Sequence, residues 1–310
     1  MLKILVSGAA GFIGSHLVDA LLAQGHEVEG IDNLFTGRMA NLDAALAHPS
    51  FHFIRHDVCE PFHGDAYDRI YHLACPASPI HYQRNPARTI KTGLFGTIHM
   101  LELAREVRAR ALLASTSEIY GDPAVHPQPE TYLGNVNSYG PRACYDEAKR
   151  AGEAAFWSYQ HQHGVETRIA RIHNTYGPRM AVGDGRMISN FCVQILQDQP
   201  VTIYGDGTQT RSLCYVDDTV RGLMMVMEAD LRLPVNIGNP QELAIQDTAY
   251  EIAALAQKSI RIGWRPLPAD DPRRRCPDIT RAKILGWTPQ VEPAIGLART
   301  LAYFQRALNL

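Results

Sequence analysis

The sequence predicts an α/β fold: a doubly wound parallel sheet followed by a smaller C-terminal lobe. Three observations carry this. Short apolar runs alternate with amphipathic stretches of helical length through the first half of the chain. A glycine-rich turn stands between the first run and the first helical stretch, and the alternation breaks down after Arg171. Strands separated by helices of this length imply right-handed crossovers and hence parallel neighbours.

Ile4-Leu5-Val6 is the first apolar run and stops at Gly8. Phe12 to Gln24 has helical spacing through Phe12, Ile13, Leu17, Ala20 and Leu21, with Gly25 as its stop. Glu27 to Ile31, Phe51 to Ile54 and Ile70 to Leu73 read as the next strands. Pro86 to Val107 reads as a long helix, Ala111 to Ala114 as the fifth strand, Ala143 to His163 as a second long helix and Thr167 to Ala170 as a sixth strand. Beyond Arg171 glycine and proline become frequent. Met187 to Gln197 and Asp217 to Glu228 look helical, and Val201 to Tyr204 and Val235 to Ile237 look extended. The boundary falls at 171/172: residues 1–171 form a dinucleotide-binding unit, and 172–310 form a lobe interleaved with its sheet.

Composition narrows the function. The 310 residues carry 30 Lys+Arg against 32 Asp+Glu, a net charge of −2, which disfavours nucleic acid as a partner. No apolar run approaches the roughly 20 residues of a membrane span. The six cysteines are scattered without a C-x-x-C pair, which suggests free thiols in a reducing cytoplasm. The 13 histidines show no H-E-x-x-H spacing, and no metal is expected. Met1 to Ala10 loosely mimics a signal peptide, but its better use is the first strand and turn.

Gly8-x-x-Gly11-x-x-Gly14 lies between strand and helix. Gly8 permits the turn, Gly11 lets the backbone approach a pyrophosphate at the helix N-terminus, and Gly14 allows close helix–strand packing. Asp32 ends the second strand and is placed for the adenosine ribose, favouring NAD over NADP, although nearby Arg38 could soften that preference. Asp57 is expected at the adenine edge. These features make the sheet a Rossmann sheet.

Tyr145-x-x-x-Lys149 puts two side chains on one face of a helix. With 13 tyrosines and five lysines, roughly 0.2 chance matches are expected. Thr116-Ser117-Glu118 at a strand tip strengthens the match, because ligands of such sheets sit at the carboxyl edge. Tyrosine near pKa 10 is a poor base at neutral pH, so the Lys149 cation and a positive nicotinamide are expected to favour tyrosinate. Tyr145 would then take a proton from a substrate hydroxyl that Thr116 aims.

The chain resembles the extended short-chain dehydrogenase/reductase superfamily, and within it the UDP-glucuronate decarboxylases. The resemblance rests on Asp32 to Arg38, Cys75 to Pro79, Ala114 to Pro123, Gly140 to Glu147, Asn174 to Met180 and Asp271 to Asp278. It implies C4 oxidation by NAD, loss of carbon dioxide β to the new ketone, protonation at C5 and reduction to UDP-xylose with NAD regenerated. By the same resemblance Glu118 and Ser117 hold the sugar and the acid or water used at C5. The related dehydratases carry Asp-Glu after the threonine; Ser117 removes that acid. The implied cofactor set adds Phe12, Ile13, Asn33, Phe35, Thr36, Gly37, Val58, Leu73, Cys75, Thr92, Ala114 and Thr175. The implied substrate set is Lys91, Glu118, Asn174, Arg186, Tyr204, Gln209, Arg211 and Arg275, with Asn174, Arg211 and Arg275 on the pyrophosphate. A homodimer through the two long helices is also implied. Gly93 stands where relatives carry asparagine, Ser138-Tyr139 where they carry Pro-Ile, and His173 where they carry phenylalanine.

The competing readings are a nucleotide-sugar 4-epimerase, a decarboxylase that releases the 4-keto pentose with NADH, and a silent dinucleotide sensor. The last typically lacks the tyrosine or the lysine, and both are present here.

Overall fold

The computed structural model describes residues 1–64, 66–267 and 274–310. Its centre is a seven-stranded sheet. The first six strands along the chain are β1 (Lys3–Ser7), β2 (Glu27–Asp32), β3 (Phe51–Arg55), β4 (Arg69–His72), β5 (Arg110–Thr116) and β6 (Thr167–Ile172). Four short strands follow: β7 (Thr175–Tyr176), β8 (Val201–Tyr204), β9 (Thr210–Ser212) and β10 (Cys214–Tyr215). The seventh strand of the sheet is β11 (Val235–Ile237), and β12 (Glu242–Ala244) and β13 (Ile262–Arg265) complete the chain order. The sheet order is β3-β2-β1-β4-β5-β6-β11, and every pairing in it is parallel. The order reverses between β1 and β4. At such a point the crossovers leave in opposite directions and open a crevice beyond the strand ends.

Helices α1 (Phe12–Ala23), α2 (Asp43–Leu46), α3 (Pro79–Arg84), α4 (Pro86–Val107) and α5 (Ala143–His163) accompany the first half, with a 3₁₀ turn at Ser117–Tyr120. The C-terminal half adds α6 (Met187–Leu196), α7 (Val216–Glu228), α8 (Ile245–Leu255), α9 (Thr280–Ile284) and α10 (Pro293–Ala307). Local chemistry sets the ends of the long helices. Pro86 starts α4 where its missing N–H costs nothing, and the Asn85 side chain accepts from the Arg88 amide at 3.1 Å. Gly164, at φ 69°, ends α5 in the left-handed region that favours glycine.

The sheet is covered on both faces, so alternate residues of β1 enter different cores. Ile4 and Val6 pack with Leu17 and Leu21 of α1 and with Val220 and Leu223 of α7. Leu5 packs with Met100 and Leu101 of α4 and with Phe156 of α5. Period-2 alternation therefore disappears from the hydropathy of β1, which reads as a continuous apolar run.

The main strands and long helices fall within two residues of the sequence expectation. The short strands β7, β9, β10, β12 and β13 and the helices α2, α3, α8, α9 and α10 carry no such expectation. The strands among them are two to four residues long and gain their order from pairing over distance: β9 with β12, β8 with β13, β7 with β10. The segment Asp271-Pro272-Arg273 lies outside the described residues.

Candidate active site

A cavity of about 600 Å³ opens at the carboxyl end of the sheet, between the β1–α1 turn and the C-terminal lobe. At one end lie Gly8, Gly11, Phe12, Ile13, Gly14 and Thr36. The glycines are required here. A Cβ on Gly14 would sit 2.0 Å from the Gly8 carbonyl oxygen, and a Cβ on Gly8, at φ +76°, would sit 2.9 Å from the Ala74 nitrogen. The turn is thus pressed against β4 and against the start of α1, leaving backbone N–H groups at a helix N-terminus, a cradle suited to a pyrophosphate.

Asp32 is buried, and its carboxylate accepts from the Ala10 amide at 3.1 Å and the Leu34 amide at 2.8 Å. Burial raises its pKa, opposed by these two bonds. Two of its roughly four lone-pair sites are spent on shaping the turn, and two remain for ribose hydroxyls. Arg38 also lines the cavity. Its guanidinium donates to the Arg179 carbonyl and the Tyr303 hydroxyl, both at 3.0 Å.

The adenine-side residues gather beyond the cavity wall. Asn33 accepts from the Phe35 amide at 2.9 Å, and Gly37 lies directly against the Asp32 carboxylate. Asp57 pairs with Arg88 and accepts from the Cys59 amide at 3.1 Å; burial opposes its ionisation, but these partners and Asn33 bring its pKa below the ordinary value. Val58 packs over Gly96, and Thr92 donates to the Arg88 carbonyl at 3.0 Å. Asp57, Val58, Thr92, Asn33 and Phe35 do not line the cavity. Lys91 does not either: it is exposed on α4, and the structure does not bring it to the substrate side.

The reactive centre is built from β5, the 3₁₀ turn and α5. Leu73, Cys75, Ala114, Thr116, Ser117, Glu118, Tyr145 and Lys149 all line the cavity. Thr116 accepts from the Glu118 amide at 3.2 Å, which starts the 3₁₀ turn, and its side chain also bonds Tyr145. Lys149 is buried and donates to the Ala114 carbonyl at 2.7 Å. Burial lowers its pKa.

The Lys149 cation and the nicotinamide charge expected to favour tyrosinate work against burial. Burial holds the tyrosine pKa well above its usual value, the nearby Cys75, Glu118 and Asp146 push the same way, and Thr116 opposes them. The ring also stacks on Tyr82 at 5.2 Å between centroids. Burial thus favours the phenol, and positive charge beside the ring favours tyrosinate.

Glu118 is the electrostatic focus. Arg275 grips it with two bonds of 2.6 and 2.7 Å, and Arg142 adds one of 2.6 Å. Burial alone would raise the carboxyl pKa, but Arg275 and Arg142 hold it below the ordinary value. Asp146, one turn along α5 from Arg142, is buried among the same charges. Burial, then the Glu118 charge, pushes it up to about 7. Arg275 was expected on a pyrophosphate. It lines the cavity, where Glu118 engages its two terminal nitrogens and its buried Nε has no partner.

The rest of the substrate-side set lines the cavity: Asn174, Arg186, Tyr204, Gln209 and Arg211, with the cofactor-side Thr175. Arg186 pairs with Asp184 and lies over the Phe12 ring at 5.5 Å. Arg211 is buried and donates to the Thr210 carbonyl at 2.9 Å. Gln209 donates to the Tyr204 carbonyl at 2.5 Å, and its own carbonyl oxygen is buried without a partner.

The departures have distinct environments. A Cβ on Gly93 would lie 2.7 Å from the Ala148 methyl, so α4 and α5 meet here at a distance only glycine allows. His173 is buried in the cavity wall with neither ring nitrogen bonded, and burial, then Arg275, brings its pKa down to about 3. It fills the site as a neutral ring. Ser138-Tyr139 lies in an exposed turn, with Tyr139 96 % exposed.

Sequence spacing did not reveal Arg142, Tyr82 or Gln128. Gln128 is wholly buried and secures the segment that delivers Arg275. Its amide donates to the Cys276 carbonyl at 2.8 Å, its side chain accepts from the Cys276 amide at 2.9 Å, and its carbonyl accepts from Asp278 at 3.0 Å.

Residues 4–238 match the NAD dependent epimerase/dehydratase family. The chain belongs to that family. UDP-glucuronic acid decarboxylase 5 of Arabidopsis thaliana is 55% identical over 298 residues, covering 96% of this chain and 87% of that protein. UDP-glucuronic acid decarboxylase 1 of Danio rerio is 52% identical over 308 residues, covering 99% and 73%. Among solved structures, UDP-glucuronic acid 4-epimerase from Bacillus cereus, in complex with UDP-glucuronic acid and NAD, superposes with a TM-score of 0.89 at 29% identity, covering 99% of this chain and 100% of that one. UDP-glucose 4-epimerase from Thermotoga maritima, with UDP-glucose, gives 0.90 at 30% identity over 99% and 100%.

Proposed function

We propose that this chain decarboxylates UDP-glucuronate to UDP-xylose, using NAD that is restored in each turnover. The observation that carries the reading is Glu118 clamped between Arg142 and Arg275 beside Tyr145, Lys149 and Thr116. It adds to the identity with UDP-glucuronic acid decarboxylases along nearly the whole chain.

Bound NAD supplies a hydride acceptor at C4 of the sugar and later returns the hydride. The residues do the rest. Thr116 orients the C4 hydroxyl, and Tyr145 receives its proton, helped by the Lys149 ammonium. Once C4 is a ketone, the C5 carboxylate leaves as carbon dioxide because its electron pair is held as an enolate. Glu118 and Ser117 hold the sugar and the proton source for C5, and Arg142 and Arg275 fix Glu118. Tyr145 returns its proton when the ketone is reduced. Gly8, Gly11, Gly14 and Asp32 bind the dinucleotide, with Asp57 at the adenine. Asn174 and Arg211 take the pyrophosphate, and Tyr204 and Gln209 take the nucleoside.

Residues 1–171 bind the cofactor and 172–310 mainly the nucleotide sugar. The chain works as a homodimer through α4 and α5, a reading supported by exposed Ile90, Phe95 and Trp157 on those helices. It works in the cytoplasm, which the six free cysteines support. No described helix is long and apolar enough to cross a membrane.

The test is incubation with UDP-glucuronate and NAD while carbon dioxide, NADH and the sugar product are followed. Gas with UDP-xylose and no net NADH is expected. UDP-galacturonate without gas would make the chain an epimerase, and gas with stoichiometric NADH would make the 4-keto pentose the product.

A further inference from the structure

Outside the cavity, three side chains from three separate segments converge: His126, Glu242 of β12 and Cys276. One donor atom of each lies within 4.8 Å of the other two. Among the described residues this is the one group of three or more histidine, cysteine or carboxylate side chains so arranged. The His126 Nε2 and a Glu242 oxygen are 2.9 Å apart, and the Cys276 thiol donates to the Pro240 carbonyl at 3.3 Å.

The geometry points to a binding site for a borderline-soft divalent cation of the zinc class, held by His126 Nε2, Glu242 Oε2 and Cys276 Sγ. Imidazole, carboxylate and thiolate form the mixed donor set that such an ion prefers, whereas magnesium or calcium would ask for oxygens. Tetrahedral zinc bonds of about 2.0–2.3 Å place donor atoms roughly 3.3–3.6 Å apart. The histidine–glutamate contact must therefore open slightly and the thiol close in by about 1 Å. Both movements involve side-chain tips. The second oxygen of Glu242 is already fixed by the Thr210 hydroxyl, the kind of outer contact that orients a ligating carboxylate. His126 is partly exposed, which leaves the fourth position to water. Arg274, 3.8 Å from Glu242, competes for that carboxylate, but its side chain is 61% exposed and free to turn into solvent.

The site lies at the outer end of the paired segments that deliver Arg275. Gln128 and Cys276 exchange hydrogen bonds there, and Arg275 is the next residue inward. A bound cation therefore staples the loop at His126, strand β12 and the carrier of Arg275 into one unit. Binding releases the thiol proton.

The experiment titrates the full-length, NAD-loaded protein with Co²⁺ after chelator treatment, then displaces it with Zn²⁺. One equivalent of Co²⁺ should produce a near-ultraviolet thiolate-to-cobalt band that one equivalent of Zn²⁺ removes. The unfolding midpoint should rise with the metal, since a ligand bound only by the native state stabilises it. Cys276→Ser, which keeps the side-chain size, should abolish the band and weaken Zn²⁺ at least tenfold. His126→Asn should weaken Zn²⁺ similarly while keeping a thiolate band at high cobalt. A band that survives in Cys276→Ser would place the metal on Cys59, Cys75 or Cys144 and overturn the assignment. So would the absence of a one-equivalent band from the native protein.

Discussion

Replacing Arg275 by leucine removes two of the three charge-assisted bonds on Glu118. In the native protein Arg275 is 4 % exposed and its bonds measure 2.6 and 2.7 Å, so solvent does little to screen the pair. Removing one partner of a buried ion pair costs about 3–5 kcal/mol, because the other charge stays buried. Arg142 still donates at 2.6 Å, which places the expected loss near the lower bound, about 3 kcal/mol at pH 7. The pH dependence carries a sign. In the native protein Glu118 titrates below its ordinary value of 4.5. Its stabilisation is present above that pH and fades as pH falls through the folded pKa. In the variant, burial acts against a weaker opposition, and Glu118 takes a proton at higher pH. The difference between the two proteins is therefore largest above both folded Glu118 pKa values and shrinks as pH falls from the variant's value towards the native one. Urea unfolding at a series of pH values, followed by tryptophan fluorescence, measures this. The double variant Glu118→Gln with Arg275→Leu should lose less than the sum of the single variants. A loss under about 1 kcal/mol at pH 7, or one that does not change with pH, would refute the electrostatic account.

Three further outcomes are expected. Tyr145→Phe should bind NAD as before but lose roughly 10²–10⁴ in turnover, measured by product release from UDP-glucuronate; an unimpaired rate would remove Tyr145 from the proton path. Gly93→Ala should destabilise the protein by about 1–3 kcal/mol through its clash with Ala148, and Ala148→Gly in the same chain should recover part of that loss, read by the denaturation midpoint. His173→Phe should remove a buried ring that stays neutral to about pH 3. Since unfolded histidine protonates near pH 6.5 and native His173 does not, acidification from 6.5 towards 3 costs the native protein stability. The phenylalanine variant should show a shallower loss over that window, and an unchanged slope would mean that His173 protonates in place.

Much of the fold is legible because the long elements carry their own periodicity. α4 and α5 display one apolar face over 22 and 21 residues, and β1 is buried on both sides. The proposed proton-transfer pair is legible because Tyr145 and Lys149 share a helix, so their spacing fixes their geometry. Glu118 and Arg275 are 157 positions apart and Glu118 and Arg142 are 24 apart, and no spacing rule joins them. The pairing of buried Arg275 with Glu118 therefore becomes visible only in the folded chain. The elements between Gly238 and the C-terminus went unread for a related reason. β12 and β13 are three and four residues long and exist through their pairing with β9 and β8.

The seam between residues 126–128 and 276–278 also decides how the chain can be divided. A fragment ending near Arg171 would retain the glycine turn, Asp32, Tyr145 and Lys149 but lose α7, on which Ile4 and Val6 of β1 pack. It would lack Arg275, Gln128 would have no strand to bind, and Glu118 would keep one counter-cation in place of two. Assembly of the Glu118 clamp therefore waits on synthesis of the last forty residues, roughly one-eighth of the chain.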